Sequence, residues 1–131
     1  ADMGAGTGKF TEKLLLKPWN VTAVEPNTDM CRELLKCVGG RAEIVMASAE
    51  STGLPEHSFE LITTAQAFHW FDEEKFRDEC RRMLKPNGRL AVVFNSQPLE
   101  RRYNSKARRN LHEILPQLCR AVRSCRETLR R

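Results

Sequence analysis

Several things are missing from this 131-residue chain, and each absence excludes a class of protein. The longest apolar clusters are Leu14-Leu15-Leu16 and residues 90–94, far short of the ~20 residues that cross a bilayer. A basic-then-apolar leader is lacking, so nothing marks the chain for secretion and the cytoplasm is the expected compartment. Five cysteines (Cys31, Cys37, Cys80, Cys119 and Cys125) make an odd set without a CxxC pair, and His57, His69 and His112 stand outside ligand spacing. A disulfide scaffold and a metal site are therefore not expected, and reduced thiols are. Length leaves room for one core, and 40% hydrophobic residues with seven Gly and six Pro exclude a disordered chain.

Charge is present but unevenly placed. Residues 1–97 carry 12 Lys and Arg against 14 Asp and Glu, whereas residues 98–131 carry 10 against 3. The net +5 is thus a slightly acidic body joined to a strongly basic tail. Basicity of the whole says nothing about nucleic-acid binding by the body.

The body alternates strand-like and helix-like segments. Runs at 20–25, 42–47, 60–65 and 89–95 are short and rich in Val, Ile, Leu and Thr. Between them, 7–17 places Phe10 and Leu14 on one helical face, 28–38 places Met30, Leu34, Leu35 and Val38, and 73–84 places Phe76, Cys80, Met83 and Leu84. Asn27-Thr28-Asp29 and Asp72-Glu73-Glu74 are helix starts; Gly39-Gly40 and Pro86-Asn87-Gly88 are stops. This order predicts an α/β fold with right-handed crossovers and a mainly parallel sheet covered on both faces. In the tail, Leu111, Ile114, Leu115, Leu118, Val122 and Cys125 suit an amphipathic helix interrupted near Pro116.

Asp2-Met3-Gly4-Ala5-Gly6-Thr7-Gly8-Lys9 falls at a strand-to-helix junction, where a parallel sheet binds ligands. A Walker A loop would need Gly at Met3 and Ser or Thr at Phe10, and a GxGxxG fingerprint would need Gly at Lys9. What remains, Asp-x-Gly-x-Gly-x-Gly, resembles the first motif of class I S-adenosylmethionine-dependent methyltransferases. Glu25, 17 residues beyond Gly8, ends the next strand-like run, where a carboxylate suits ribose hydroxyls. Ser48-Ala49-Glu50, Gly53-Leu54-Pro55 and Ser58-Phe59-Glu60 resemble the loop that frames adenine in the methyltransferase type 11 group. Ala67-Phe68-His69-Trp70-Phe71-Asp72 resembles a segment of small-molecule enzymes similar to trans-aconitate methyltransferase.

The resemblance implies a Rossmann-like three-layer αβα sandwich and S-adenosyl-L-methionine as cofactor. Gly4, Gly6 and Gly8 would cradle it. Asp2 would hold its ammonium directly or through water, and Glu25 its ribose. Ser48, although usually acidic in the group, and the Ala49 amide would serve the adenine, and Gln66 would face the methionine moiety. Trp70 could wall the pocket, or could simply pack the next helix alongside Phe68 and Phe71. His69 could orient a small-molecule acceptor or take its proton. A sulfonium methyl is already activated, so positioning suffices and no metal is implied.

The resemblance covers roughly residues 1–95. It implies a first strand filling positions before Asp2 and a terminal antiparallel strand pair, both expected to be missing here, so that this polypeptide alone would bind the cofactor weakly or not at all. Residues 1–97 are thus read as a partial methyltransferase core and 98–131 as a basic amphipathic tail. The alternative is a non-catalytic remnant that binds a protein or nucleic-acid partner through that tail; a solvated helix covering the sheet is the simpler reading, because Tyr103 is the tail's one aromatic and base stacking needs more.

Overall fold

A computed structural model of the chain describes residues 1–94, which form one compact unit. The tail assignments fall outside the described residues. Two helices follow their caps closely. In α2 (Thr28–Val38) the Asn27 carboxamide accepts from the Asp29 and Met30 amides at 2.9 and 3.0 Å, and Gly39 closes the helix at φ 57°. In α3 (Glu73–Met83) Asp72 accepts from the Lys75 amide, with acidic residues in the first turn and Arg81 and Arg82 in the last.

The first helix, α1 (Lys9–Leu14), is shorter than its apolar pattern. Beyond it the Leu16 and Lys17 amides bond three residues back, to Lys13 and Leu14, so the chain tightens before Pro18. Its buried residue is Thr11, while Phe10 and Leu14 are only half-buried. On α2 the expected apolar stripe splits: Leu34 and Val38 are buried, and Met30 and Leu35 face solvent.

Five strands make one parallel sheet: β1 (Asp2–Met3), β2 (Thr22–Val24), β3 (Glu43–Val45), β4 (Phe59–Ala65) and β5 (Leu84–Val93). Their order is β3-β2-β1-β4-β5. The central place is thus filled by Asp2 and Met3 themselves, two residues that pair with Ala23 and Val24 on one side and, through Asp2, with Thr63 on the other. The motif's acid is in the strand, not after it. Opposite Glu60 the fifth strand bulges: Leu84 pairs with Phe59 and Arg89 with Leu61, so residues 85–88 stand out of register. A Cβ on Gly88 would lie 2.9 Å from the Phe59 carbonyl, which explains the glycine there.

Alternating residues of β2 enter different cores. Val24 joins Met3, Ile62, Phe76, Cys80 and Met83 under α3. Ala23 joins Leu34 and Val38 under α2. Helices on both faces of a parallel sheet give the three layers expected from the sequence. That architecture brings the glycine loop, Glu25 and the segment after β4 to the carboxyl edge, at the point where the strand order reverses.

Candidate functional site

The glycine loop leaves β1 and is anchored at once, because the Gly4 and Ala5 amides both donate to the Val24 carbonyl at 2.9 and 3.0 Å. Gly4, Gly6 and Gly8 all take positive φ, at 67°, 57° and 88°. Their surroundings differ. A Cβ on Gly4 would meet Ala67 Cβ at 2.6 Å, and one on Gly8 would meet Leu34 Cδ1 at 2.6 Å. These two glycines let protein pack against the loop. At Gly6 the nearest atom is Met30 Sδ at 4.0 Å, so this position faces open space.

Glu25 ends β2 beside that opening. Its Oε2 accepts from the Gly6 amide at 2.8 Å and its Oε1 from the Asn27 amide at 3.0 Å. The residue is 6% exposed, and no ion pair reaches it among the described residues. Each oxygen spends one lone pair on the backbone and keeps another for a further donor.

Asp2, expected to hold the cofactor ammonium directly or through water, is engaged by two protein hydroxyls. It is 1% exposed; its Oδ2 accepts from Thr11 Oγ1 at 2.7 Å and its Oδ1 from Thr63 Oγ1 at 3.1 Å. Burial pushes its carboxyl above the usual range, and the two hydroxyls pull it back in part. Asp2 thereby ties α1 and β4 to the root of the glycine loop.

Ser48 is exposed, and its carbonyl accepts from the Ser51 amide at 3.2 Å in a tight loop after β3. Ala49 is buried and its side chain joins the α3 core. Glu50 braces the loop, since its Oε1 accepts from the Asp72 amide at 2.9 Å. Gln66 follows β4 at φ 59°, a strained left-handed backbone for a residue with a Cβ, held by a bond from its amide to the Val93 carbonyl at 3.0 Å. The strain turns the chain back toward the glycine loop, where Ala67 and Phe71 close over Gly4.

Residues Phe68–Trp70 form a single 3-10 turn. Phe68, Phe71 and Phe76 form a cluster with centroids 4.8–6.5 Å apart, Phe68 edge-on to the other two and Phe71 tilted against Phe76, so these rings pack the turn onto α3. Trp70 does not pack that way: it is 79% exposed, with the exposed His69 ring 4.9 Å from it. One feature with no signal in the motifs is Glu79, which binds the Thr52 amide and hydroxyl at 2.9 and 2.6 Å and Arg82 through both oxygens. The Glu-x-x-Arg spacing on one helix could have suggested the ion pair, but not the loop hydroxyl 27 residues away. A concavity of about 420 Å³ opens at the amino ends of the strands, between Val21 and Phe59, away from these groups.

Fold and edge together define a doubly wound α/β domain of the kind that holds a nucleoside-bearing ligand beside a strand-end carboxylate. The chain belongs to the methyltransferase domain family, whose model matches residues 1–92. It is 35% identical over 96 residues to an uncharacterized methyltransferase of Mycobacterium tuberculosis, covering 73% of this chain and 39% of that protein. It is 32% identical over 126 residues to a ubiquinone/menaquinone biosynthesis C-methyltransferase of Cronobacter sakazakii, covering 89% and 50%. Among solved structures, a SAM-dependent methyltransferase from Thermotoga maritima matches at TM-score 0.61 and 27% identity, covering 70% of this chain and 41% of that one. The chain thus spans half or less of the length of these relatives. Class and fold imply S-adenosyl-L-methionine, and the residues present fit it: an open cradle at Gly6, and beside it a buried carboxylate with free acceptor sites and no cation on it among the described residues.

Proposed function

We propose that this domain binds S-adenosyl-L-methionine at the carboxyl edge of the sheet and serves methyl transfer to a small-molecule acceptor by in-line displacement. The observation that carries this is Glu25, held by the Gly6 and Asn27 amides at the mouth of the open glycine cradle. When bound, the cofactor supplies a methyl group already activated on a sulfonium sulfur.

The chain's own residues then bind and orient. Glu25 accepts from the ribose hydroxyls, each charge-assisted bond contributing about 1.5–3 kcal/mol. Gly6 lets the backbone approach without a side chain between, and Asp2 fixes the loop from below through Thr11 and Thr63. The Ala49 amide and Ser48 border the adenine, and Gln66, turned out by its left-handed backbone, borders the methionine end. His69 and Trp70 stand exposed on the neighbouring turn, where an acceptor would be held in line, with His69 able to take the proton it releases. Labelled-methyl transfer by the full-length protein tests the reading. Glu25→Ala is expected to abolish it, whereas His69→Ala lowers it and shifts its pH profile; transfer unaffected by Glu25→Ala overturns the proposal.

A further inference from the structure

Every basic side chain of α2 and α3 has an acidic partner on or beside its own helix. Arg32 pairs with Asp29 at 2.8 Å and Lys36 with Glu33 at 2.6 Å; Lys75, Arg77, Arg81 and Arg82 pair with Asp72, Asp78 and Glu79. The face of α1 is different. Lys9, Lys13 and Lys17 are exposed at i, i+4 and i+8, and no ion pair reaches them among the described residues. The one acid between Lys9 and Asn20 is the half-buried Glu12. Helical spacing, carried past Leu14 by the turn that follows, sets this row opposite Thr11, the buried residue of α1. Leu16 falls on the same side, 73% exposed, and Trp19 follows at 48%.

Unneutralised cations interleaved with large apolar side chains suit one kind of partner best. Protein interfaces are depleted in Lys. A nucleic-acid backbone would engage the lysines but gives Leu16 no apolar counterpart. A bilayer with anionic headgroups answers both, the charge at its surface and the apolar side chains just below it. We infer that the outer face of residues 9–19 is a peripheral docking surface for an anionic lipid bilayer. Leu16 enters the boundary between headgroups and acyl chains, and the Trp19 ring lies at headgroup level. The three lysines reach the anionic groups with their stems laid along the apolar side. No helix of the described residues is long and apolar enough to cross a membrane, so the contact stays at the surface. This face holds none of the residues assigned to the cofactor, and the inference stands apart from that reading.

Co-sedimentation of the full-length protein with phosphatidylcholine vesicles, with and without phosphatidylserine, tests it. Binding is expected to be about tenfold tighter with phosphatidylserine and to weaken with salt. Lys13→Gln with Lys17→Gln should weaken it about 25-fold, at about fivefold per lysine, and Leu16→Ser about tenfold. Lys13→Arg with Lys17→Arg keeps the charge and should bind as the wild type does. Leu15 packs α1 on the sheet face of α2, so α3 lies on the other face. Lys75→Gln with Arg81→Gln on α3 removes the same charge and should change binding by no more than about twofold, which separates this surface from net charge and from the basic tail. Absence of wild-type binding, equal losses for the α1 and α3 pairs, or binding unaffected by Leu16→Ser overturns the inference. So does tighter binding to single-stranded RNA than to the vesicles, lost with the lysines but not with Leu16, which assigns the face to nucleic acid.

Discussion

Glu79 and Glu25 are both buried carboxylates that accept backbone amides, yet they sit in opposite kinds of place. Glu79 lies on α3, with Arg82 on both oxygens and the Thr52 hydroxyl on one, and these partners hold its carboxyl down to about 2. Glu25 lies at the carboxyl edge with two backbone amides and no cation among the described residues. The first is a finished network whose donors all come from the protein. The second leaves acceptor capacity unused at low exposure, which costs free energy unless something else completes it. What separates the two carboxylates is how fully the described residues satisfy them: Glu79 has two protein side chains and an amide on it, whereas Glu25 has two amides alone and keeps acceptor sites that the proposed cofactor would use.

The largest effect that could break this contrast is on stability. Glu79→Ala should leave Arg82 and the Thr52 loop without their acceptor and cost about 3 kcal/mol, read as a lower urea midpoint with an unchanged slope. The pH dependence follows from the direction of the shift. The depressed carboxyl adds stability that is full above its unfolded value near 4.5 and is lost as pH falls through about 2. Glu79→Gln should flatten the wild-type decline across that window. An equal decline in both proteins would show that Glu79 is no staple.

Next in size is Glu25, the carboxylate proposed to meet the ribose. Glu25→Ala should weaken S-adenosylhomocysteine binding by the full-length protein by roughly 100- to 10,000-fold, as expected for losing two charge-assisted acceptors, while costing only about 1 kcal/mol of stability. Glu25→Gln, which keeps one acceptor, should fall between. If Glu25→Ala proves as destabilising as Glu79→Ala and leaves affinity untouched, the two carboxylates are alike and the contrast fails.

The glycines sharpen the comparison at smaller scale. Gly4→Ala and Gly6→Ala share a positive-φ strain of about 1 kcal/mol. Only Gly4→Ala adds a collision, 2.6 Å from Ala67 Cβ, and should cost about 2–3 kcal/mol in all. Gly6→Ala should unfold less readily than Gly4→Ala yet bind the cofactor product more weakly, because its new methyl fills the cradle. Equal affinity loss with equal destabilisation would mean that the loop simply tolerates no side chain.

How far this was legible in the sequence depended on how local the determinant is. α2 and α3 were readable almost to the residue, because Asn27, Gly39 and Asp72 act within one helical turn. The glycines and Glu25 were readable because spacing along one βαβ unit carries them. The first strand was not, since two residues give no periodicity and Asp2-Met3 reads as motif, not strand. Nor were the hydrogen bonds of Asp2, whose partners Thr11 and Thr63 lie 9 and 61 residues away and are chosen by packing. Helical periodicity likewise put Met30 and Leu35 in the core stripe, because a stripe does not show where the neighbouring layer ends.

The smallest predicted effect concerns a hydroxyl on the strand that braces Asp2. Thr63 and Thr64 are adjacent on β4, so their side chains point to opposite faces. Thr63 Oγ1 reaches Asp2, whereas Thr64 Oγ1 is fully buried, on the same face as Ile62, and has no hydrogen-bond partner among the described residues. A buried hydroxyl without a partner carries a desolvation cost of about 1–3 kcal/mol, and valine has nearly the same shape without it. Thr64→Val should therefore raise stability by about 1 kcal/mol and leave cofactor affinity unchanged. Thr63→Val, which takes a donor from a buried carboxylate, should lower stability by about the same amount and loosen the root of the glycine loop. Opposite signs at neighbouring positions, measured by urea unfolding, would place the boundary between apolar core and supported site within one peptide bond of β4. Destabilisation by both variants would mean that Thr64 does have a partner, and the boundary would move one residue toward the core.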